Sequence, residues 1–242
     1  MTKDLPDNTK EVTLRTTAGF TGIEELARRL GSVVPFDSRG KVIYADGFED
    51  ALLKWSRDAA APGVNPVLSH TYAFEGHQSV KLACAIGAGG TSSIGREFSL
   101  VSSGKLGVEV WVQGTFVGLS YLFCGILFYD GTNVSEAYLY YDAPLQSISI
   151  QDNTGIVTVA TGVTMASGSF YFLPIKLVVD IDTDKFVRLV VGSEEYDISV
   201  YALNVSGATT DKKIYIVYGL ASDVGGPVVV YLDNLIITRD EP

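Results

Sequence analysis

The segment IKLVVDIDTDKFVRLVV, residues 175–191, decides the fold of this chain. Every second residue from Ile175 to Ile181 is aliphatic, and a second apolar run follows the short polar connection at residues 183–185. An alternation with a period of two places one set of side chains on one face of a β-strand. Two such runs joined by a short connection predict an antiparallel hairpin with one buried face.

The same pattern recurs along the chain after residue 40. Residues 105–116 and 119–130 form two long runs with strand character, and residues 228–238 close the series. Gly, Pro, Asn, Asp or Ser residues separate the runs, and almost no helical pattern lies between them. This organisation excludes a parallel βαβ sheet. It predicts an all-β fold, an antiparallel jelly-roll β-sandwich formed by residues 41–242.

Residues 1–40 have a different character and are predicted to form an extended N-terminal arm. They contain equal numbers of basic and acidic residues and show no clear strand period. Within the arm, Ile23, Leu26 and Leu30 lie at helical spacing and predict one short helix at residues 22–30. Because a helix of about two turns is unstable alone, these three side chains are expected to anchor the arm on a partner.

Composition limits the possible partners and location. The formal net charge is −10, and we find no basic patch of the kind that nucleic acid requires. The polar start MTKDLPDNTK is not a secretory signal peptide, and no run of about 18 apolar residues indicates a membrane span. We therefore expect no nucleic-acid partner and no membrane insertion. Synthesis in the cytoplasm without Sec export is expected, with a final location in a virion or other assembled particle.

Residues with catalytic chemistry are sparse. His70 and His77 are the two histidines, and no G-x-S-x-G motif is present. The acidic run at residues 180–184 ends in a turn, which argues against a pair of catalytic carboxylates in a cleft. Cys84 and Cys124 lie in apolar runs, so they are either two buried thiols or one bridge across the sheets. The sequence thus predicts a protein that is not an enzyme.

Aromatic residues offer one candidate binding surface. Tyr138 and Tyr140 are two residues apart on a predicted strand and therefore share a face. Trp111 shares its strand face with polar residues, which favours an exposed position. A sugar ring packs on such side chains by apolar contact. We therefore consider Trp111, Tyr138 and Tyr140 as a glycan-binding platform; ordinary packing within the sandwich is the alternative.

Three short motifs resemble those of jelly-roll carbohydrate-binding modules. They are Asp46-Gly-Phe-Glu49 followed by Trp55, the Gly76–Leu82 segment, and Tyr-Leu-Asp-Asn-Leu at residues 231–235. The hairpin at residues 175–191 is similar to laminin-G or concanavalin-like sandwiches. The resemblance implies a structural calcium ion that joins the first and last strands, and by position it implicates Asp46, Glu49 and Asp233. No other cofactor is implied.

A sandwich preceded by a polar arm also resembles the decoration and tail proteins of tailed phages. This resemblance implies a non-catalytic structural component of a virion or other large assembly, such as a decoration, capsid-associated or tail protein. Its partners would be copies of itself, in a homo-oligomer, or other subunits of a viral particle, contacted through the arm. The alternative function is a carbohydrate-binding module that recognises a glycan through the aromatic platform.

Overall fold

The computed structural model describes residues 36–51, 53–60, 63–85, 89–99, 104–115, 119–165, 171–222 and 227–242. Within these ranges the chain forms two antiparallel sheets and no helix, so the predicted all-β sandwich of jelly-roll type is confirmed. In the same ranges, no helix has the length and apolar character needed to cross a membrane. The predicted helix at residues 22–30, with Ile23, Leu26 and Leu30, lies outside the described residues.

The strands are numbered in chain order. They are β1 (Lys41–Asp46), β2 (Ser56–Ala60), β3 (Gly63–Ser69), β4 (Ser79–Cys84), β5 (Gly90–Ser99), β6 (Lys105–Thr115), β7 (Leu119–Tyr129), β8 (Asn133–Asp142), β9 (Ser147–Asp152), β10 (Gly155–Thr161), β11 (Leu173–Asp180), β12 (Lys185–Val191), β13 (Glu194–Asp197), β14 (Asn204–Gly207), β15 (Lys213–Ser222) and β16 (Val228–Arg239).

Strands from both halves of the chain mix within each sheet. Sheet A has the order β13-β12-β11-β6-β16-β4-β3, and β1 pairs with β16. Sheet B has the order β10-β9-β8-β7-β15-β5-β2, and β14 pairs with β8. The predicted hairpin is the β11–β12 pair, in which Ile175 lies opposite Val191. Long-range pairing of this kind brings side chains that are distant in sequence onto one face.

The core lies between the two sheets and is built by the alternation seen in the sequence. On β6, Leu106, Val108, Val110 and Val112 are buried in the core, so Trp111 projects from the outer face of sheet A. Burying each such aliphatic side chain contributes roughly 1.5–3 kcal/mol.

The two cysteines lie in this core on different sheets. Cys84 on β4 and Cys124 on β7 are both buried and unbridged. Burial raises the pKa of the Cys124 thiol to about 12. Of the two alternatives left open by the sequence, the structure therefore shows buried thiols and no disulfide.

Residues 36–40, here named the strap, lie across the outer face of sheet A. Glu109 on β6 accepts hydrogen bonds from the backbone N–H groups of Phe36 and Asp37. Lys176 on β11 donates to the carbonyl oxygens of Asp37 and Arg39, at 3.3 and 3.1 Å. The described end of the predicted arm is thus part of the folded body.

A buried ion cluster fastens the strap to the last residues of the chain. Lys176 is fully buried and forms ion pairs with Asp37 at 3.2 Å and with Glu241 at 2.8 Å. Arg188 on β12 pairs with Glu241 and donates to the Pro242 oxygen at 3.0 Å. Each buried charge faces an opposite charge, which offsets part of the cost of removing these groups from water.

Candidate functional site

The outer face of sheet B carries a group of four neighbouring aromatic side chains. Tyr138 and Tyr140 project outward from β8, since Ala137, Leu139 and Tyr141, which alternate with them, face the core. On the adjacent strand β7, Phe123 lies opposite Tyr140. Tyr121 precedes Phe123 by two residues and is 37% exposed. We name Tyr121, Phe123, Tyr138 and Tyr140 the aromatic platform.

Ring contacts hold the aromatic platform together. The rings of Tyr138 and Tyr140 are nearly parallel, at 18°, with centroids 6.0 Å apart. Tyr121 meets Tyr140 almost at a right angle, with centroids 5.7 Å apart. Tyr121 also contacts Phe123 at 6.1 Å. The four rings therefore form one connected group on the outer face of sheet B.

Strand glycines give these rings their position. A Cβ atom at Gly125, opposite Tyr138, would lie 2.6 Å from a carbon of the Tyr138 ring. A Cβ atom at Gly219, on β15, would overlap the ring of Phe123 in the same way. Each ring therefore leans over the neighbouring strand and occupies space that any other residue would fill.

A third glycine repeats this arrangement farther along the sheet. A Cβ atom at Gly95 on β5 would overlap the hydroxyl end of Tyr215, which projects from β15. The three glycines were not singled out in the sequence. Their signal was nevertheless present, because glycine in a strand interior often marks close approach of another group.

Polar groups line the β9 side of the aromatic platform. Tyr140 donates a hydrogen bond to Gln151 Oε1 at 3.0 Å, across the β8–β9 pair. Ser149 lies opposite Tyr140, and its hydroxyl is 3.2 Å from that of Thr158 on β10. Amide and hydroxyl groups of this kind can both donate to and accept from the hydroxyls of a ligand.

Tyr138 and Tyr140 remain protonated at neutral pH. Burial raises the pKa of Tyr138 to about 12, with a smaller contribution from the charge of Glu136. Burial also raises the pKa of Tyr140. Both phenols therefore keep their hydrogen-bond donors and add no charge to the surface.

Trp111 does not lie with Tyr138 and Tyr140. It projects from the outer face of sheet A, on the opposite side of the sandwich. There its ring stacks on Phe74, with centroids 3.8 Å apart at 14°, and Phe36 of the strap meets it edge-on at 5.7 Å. The prediction of one platform formed by all three residues is thus corrected: the structure brings Tyr138 and Tyr140 together and packs Trp111 under other aromatic rings.

The three carboxylates of the calcium prediction accept hydrogen bonds from the chain itself. Asp46 accepts from the Trp55 indole at 3.0 Å, and Glu49 accepts from the His77 backbone N–H at 2.9 Å. Asp233 accepts from the Phe74 backbone N–H at 2.7 Å. Among the residues that the structure describes, no group of three or more acidic, His or Cys side chains is arranged to hold a metal ion. Calcium binding therefore stays a prediction, which melting curves in calcium and in EDTA would check.

Asp233 has an unusual environment. It is fully buried on β16, and burial raises the pKa of its carboxyl to about 7, although backbone N–H groups of Phe74 and Asn234 donate to it. The negative charge of Glu49 adds to the increase. At neutral pH this carboxyl is therefore close to half protonated.

The comparisons with known proteins give a fold and no family. No protein-family model matches the chain, and no curated protein matches it. A Bacillus subtilis protein of unknown function with a galectin-like fold is 11% identical, with a TM-score of 0.51 over 84% of this chain and 97% of that one. The cellulose-induced protein Cip1 is 14% identical, with a TM-score of 0.50 over 81% and 96% of the two chains.

A sialidase is a weaker match and a much longer chain. It is 11% identical, with a TM-score of 0.42, and the alignment covers 68% of this chain but only 16% of the sialidase. What the chain shares with the two better matches is the antiparallel β-sandwich of jelly-roll and galectin-like proteins.

Proposed function

We propose that this protein binds a glycan, without catalysis, through the aromatic platform on the outer face of sheet B. The observation that carries the proposal is the position of the Tyr138 and Phe123 rings over Gly125 and Gly219. A glycine at each of these positions leaves room for an aromatic ring to lie over the neighbouring strand. The apolar face of a sugar ring stacks on such a surface, while its hydroxyls reach the polar side chains beside it.

The surroundings of the aromatic platform support a carbohydrate as the ligand. Gln151 and Ser149 lie on the adjacent strand β9, on the same face as Tyr138 and Tyr140. Apolar rings with amide and hydroxyl groups at their side match the two kinds of surface that a sugar presents. The two better structural matches are named for a galectin-like fold and for induction by cellulose, which agrees with this class of ligand.

Affinity electrophoresis of the purified protein tests the proposal. The gels would contain soluble polysaccharides such as xyloglucan, laminarin, galactan and hydroxyethylcellulose. At least one should retard the protein, and Tyr140→Ala should weaken that binding on the order of tenfold, because a stacked ring is lost. Trp111→Phe is the matched control on the opposite face and should bind as the unmodified protein does.

Two results would contradict glycan binding at this site. One is the absence of retardation by every polysaccharide in the panel. The other is a loss of binding in Trp111→Phe with none in Tyr140→Ala, which would move the site to sheet A.

Virion assembly remains a prediction from the sequence. The solved structures named above are not described as virion proteins. The anchor side chains Ile23, Leu26 and Leu30 lie outside the described residues. Subunit contacts through the arm therefore have no support beyond the pattern that first indicated them.

A further inference from the structure

We propose that the aromatic platform selects uncharged glycans and rejects carboxylated ones, through Glu136 and Asp142 at its two ends. The inference rests on the proposed function, because it names the class of ligand that this same surface takes.

The two carboxylates bracket the aromatic platform along one strand. On β8 the alternation places Glu136, Tyr138, Tyr140 and Asp142 on the outer face in that order. The two carboxylates are six positions apart, which corresponds to about 20 Å of strand. A glycan chain that lies along β8 over both tyrosine rings therefore passes close to at least one carboxylate.

Neutral partners hold both carboxylates in place. Glu136 accepts a hydrogen bond from the Asn204 side-chain amide on β14, at 3.0 Å. Asp142 accepts from the Leu145 backbone N–H in the following turn, at 2.9 Å. Since these donors carry no charge, they fix the carboxylates without neutralising them. An anion that approaches either end of the aromatic platform meets the negative charge of the nearer group.

Cations that could offset this charge are scarce on the same face. At the outward positions of the described strands of sheet B, the acidic side chains are Asp58, Glu97, Glu136 and Asp142, and the basic one is Lys213. Lys213 is already paired with Glu97 at 2.6 Å and lies 5.4 Å from the centroid of the Tyr129 ring. It also stands on β15, two strands away from β8. The net charge of −10 for the chain acts in the same direction.

The expected selectivity follows from Coulomb's law. Two like charges about 4 Å apart in water repel enough to weaken binding roughly fivefold, and more where the surface excludes water. A carboxylated polymer that runs past both ends should therefore bind at least five times more weakly than its neutral counterpart. Salt should reduce the difference, since exposed charges are screened within about 10 Å at 0.1 M ionic strength.

Two pairs of polymers with matched backbones test the inference. Hydroxyethylcellulose is compared with carboxymethylcellulose, and dextran with carboxymethyl-dextran, by affinity electrophoresis and calorimetry at low and high salt. The double variant Glu136→Gln/Asp142→Asn should bind the carboxymethyl polymer at least five times more tightly than the unmodified protein. Its binding to the neutral polymer should stay within about twofold, because both amides keep an acceptor oxygen for the existing donors.

A charge-matched control separates a local effect from the effect of net charge. Glu194→Gln/Asp240→Asn removes the same two charges from the sheet A side, where Glu194 is on the edge strand β13 and Asp240 pairs with exposed Lys41. This variant should discriminate between the polymers as the unmodified protein does. Equal gains in both double variants would overturn the role of Glu136 and Asp142.

The outcomes distinguish this inference from the proposed function. Strong binding of a neutral polymer with weak binding of its carboxymethyl form supports both. Equal binding of the two forms at low salt overturns the charge selection and leaves glycan binding intact. Failure to bind these polymers and the wider neutral panel overturns the proposed function itself.

Discussion

Gly125 and Gly219 are the residues on which the geometry of the aromatic platform depends. At both positions the missing Cβ is replaced by part of an aromatic ring from the neighbouring strand. Glycine in a strand weakens it, because the residue has no side chain to pack and loses more entropy on folding. Here the overlying ring fills the gap, so the strand keeps its packing.

Gly219→Ala should therefore reduce glycan binding. The new methyl group would overlap the Phe123 ring, which must then rise from the sheet and tilt its face away from a ligand. We expect affinity to fall by about tenfold, measured by affinity electrophoresis. Gly207→Ala on β14 is the control, since a Cβ there meets nothing within 4 Å. Unchanged affinity in Gly219→Ala, with a normal melting temperature, would show that binding does not depend on the position of the Phe123 ring over Gly219.

Asp233 predicts an unusual dependence of stability on pH. Its carboxyl has a pKa of about 7 in the folded chain, raised from the ordinary value of 3.8 by burial. Between these two values the folded state binds the proton more tightly than the unfolded state, so stability falls as pH rises from about 4 to about 7. The loss attributed to this group is on the order of 3 kcal/mol. Glu109, whose pKa burial raises to about 6, acts in the same direction.

Denaturant unfolding at a series of pH values would measure this effect. Asp233→Asn removes the titrating group, so its free energy of unfolding should vary less between about pH 4 and 7. If the unmodified protein and the variant show the same slope over this range, Asp233 does not carry the raised pKa.

Buried charges attach the strap to the rest of the fold. Burial alone would raise the pKa of Asp37, but hydrogen bonds from Arg39 and the charge of Lys176 bring it down to about 2. The Asp37 carboxylate therefore stays ionised over the ordinary pH range, and its ion pair with Lys176 keeps the strap attached. Its attachment joins the start of the described chain to β11, β12 and residues 241–242.

Lys176→Met should destabilise the protein strongly. Methionine preserves much of the side-chain volume, but Asp37 and Glu241 would lose a buried counter-charge. Removing one partner of a buried ion pair typically costs about 3–5 kcal/mol. Lys41→Met is the control, because its pair with Asp240 is exposed and such pairs contribute about 1 kcal/mol or less. Equal effects of the two substitutions, measured by urea unfolding, would show that the cluster does not hold the strap.

The strands could be predicted from the sequence because their burial follows a simple alternation. The runs at residues 105–116, 119–130 and 228–238 correspond to β6, β7 and β16, with ends shifted by a residue. The β11–β12 hairpin was predicted for the same reason. What the alternation cannot give is the sheet to which each strand belongs, since that depends on pairing between residues far apart in sequence. Trp111 and Tyr140 were grouped for this reason, although β6 and β8 lie in different sheets.

The ion cluster could not be predicted from the sequence, and strand glycines such as Gly125 and Gly219 indicate only that some group approaches closely, without saying which one. Lys176 and Arg188 each appear as a single charge within an apolar strand, which the alternation assigns to an exposed outer face. In the described part of the chain, the strap and residues 241–242 pack over that face and contact both buried side chains. Tyr138 and Tyr140 were found because their two-residue spacing is local, whereas Gly125 and Gly219 depend on the register of neighbouring strands.

At the scale of the whole molecule, the predicted role of residues 1–40 in assembly has a direct test. If Ile23, Leu26 and Leu30 anchor neighbouring subunits, light scattering should give a mass that is a multiple of 26.0 kDa. Leu26→Asp should then shift the population to monomer, since a charge at an apolar contact is costly. A monomeric mass at every concentration of the unmodified protein would contradict the prediction and leave glycan binding unaffected.

The position of the strap has a practical consequence for work with immobilised protein. The strap and residues 241–242 both lie over sheet A, whereas the aromatic platform is on sheet B. Coupling to a biosensor chip through either end of the folded body would therefore direct the platform toward the flowing sample. Random coupling through lysines would include Lys213, which projects on the platform side and would block part of the population. Oriented capture should therefore leave a larger fraction of the immobilised molecules able to bind a glycan than random coupling does.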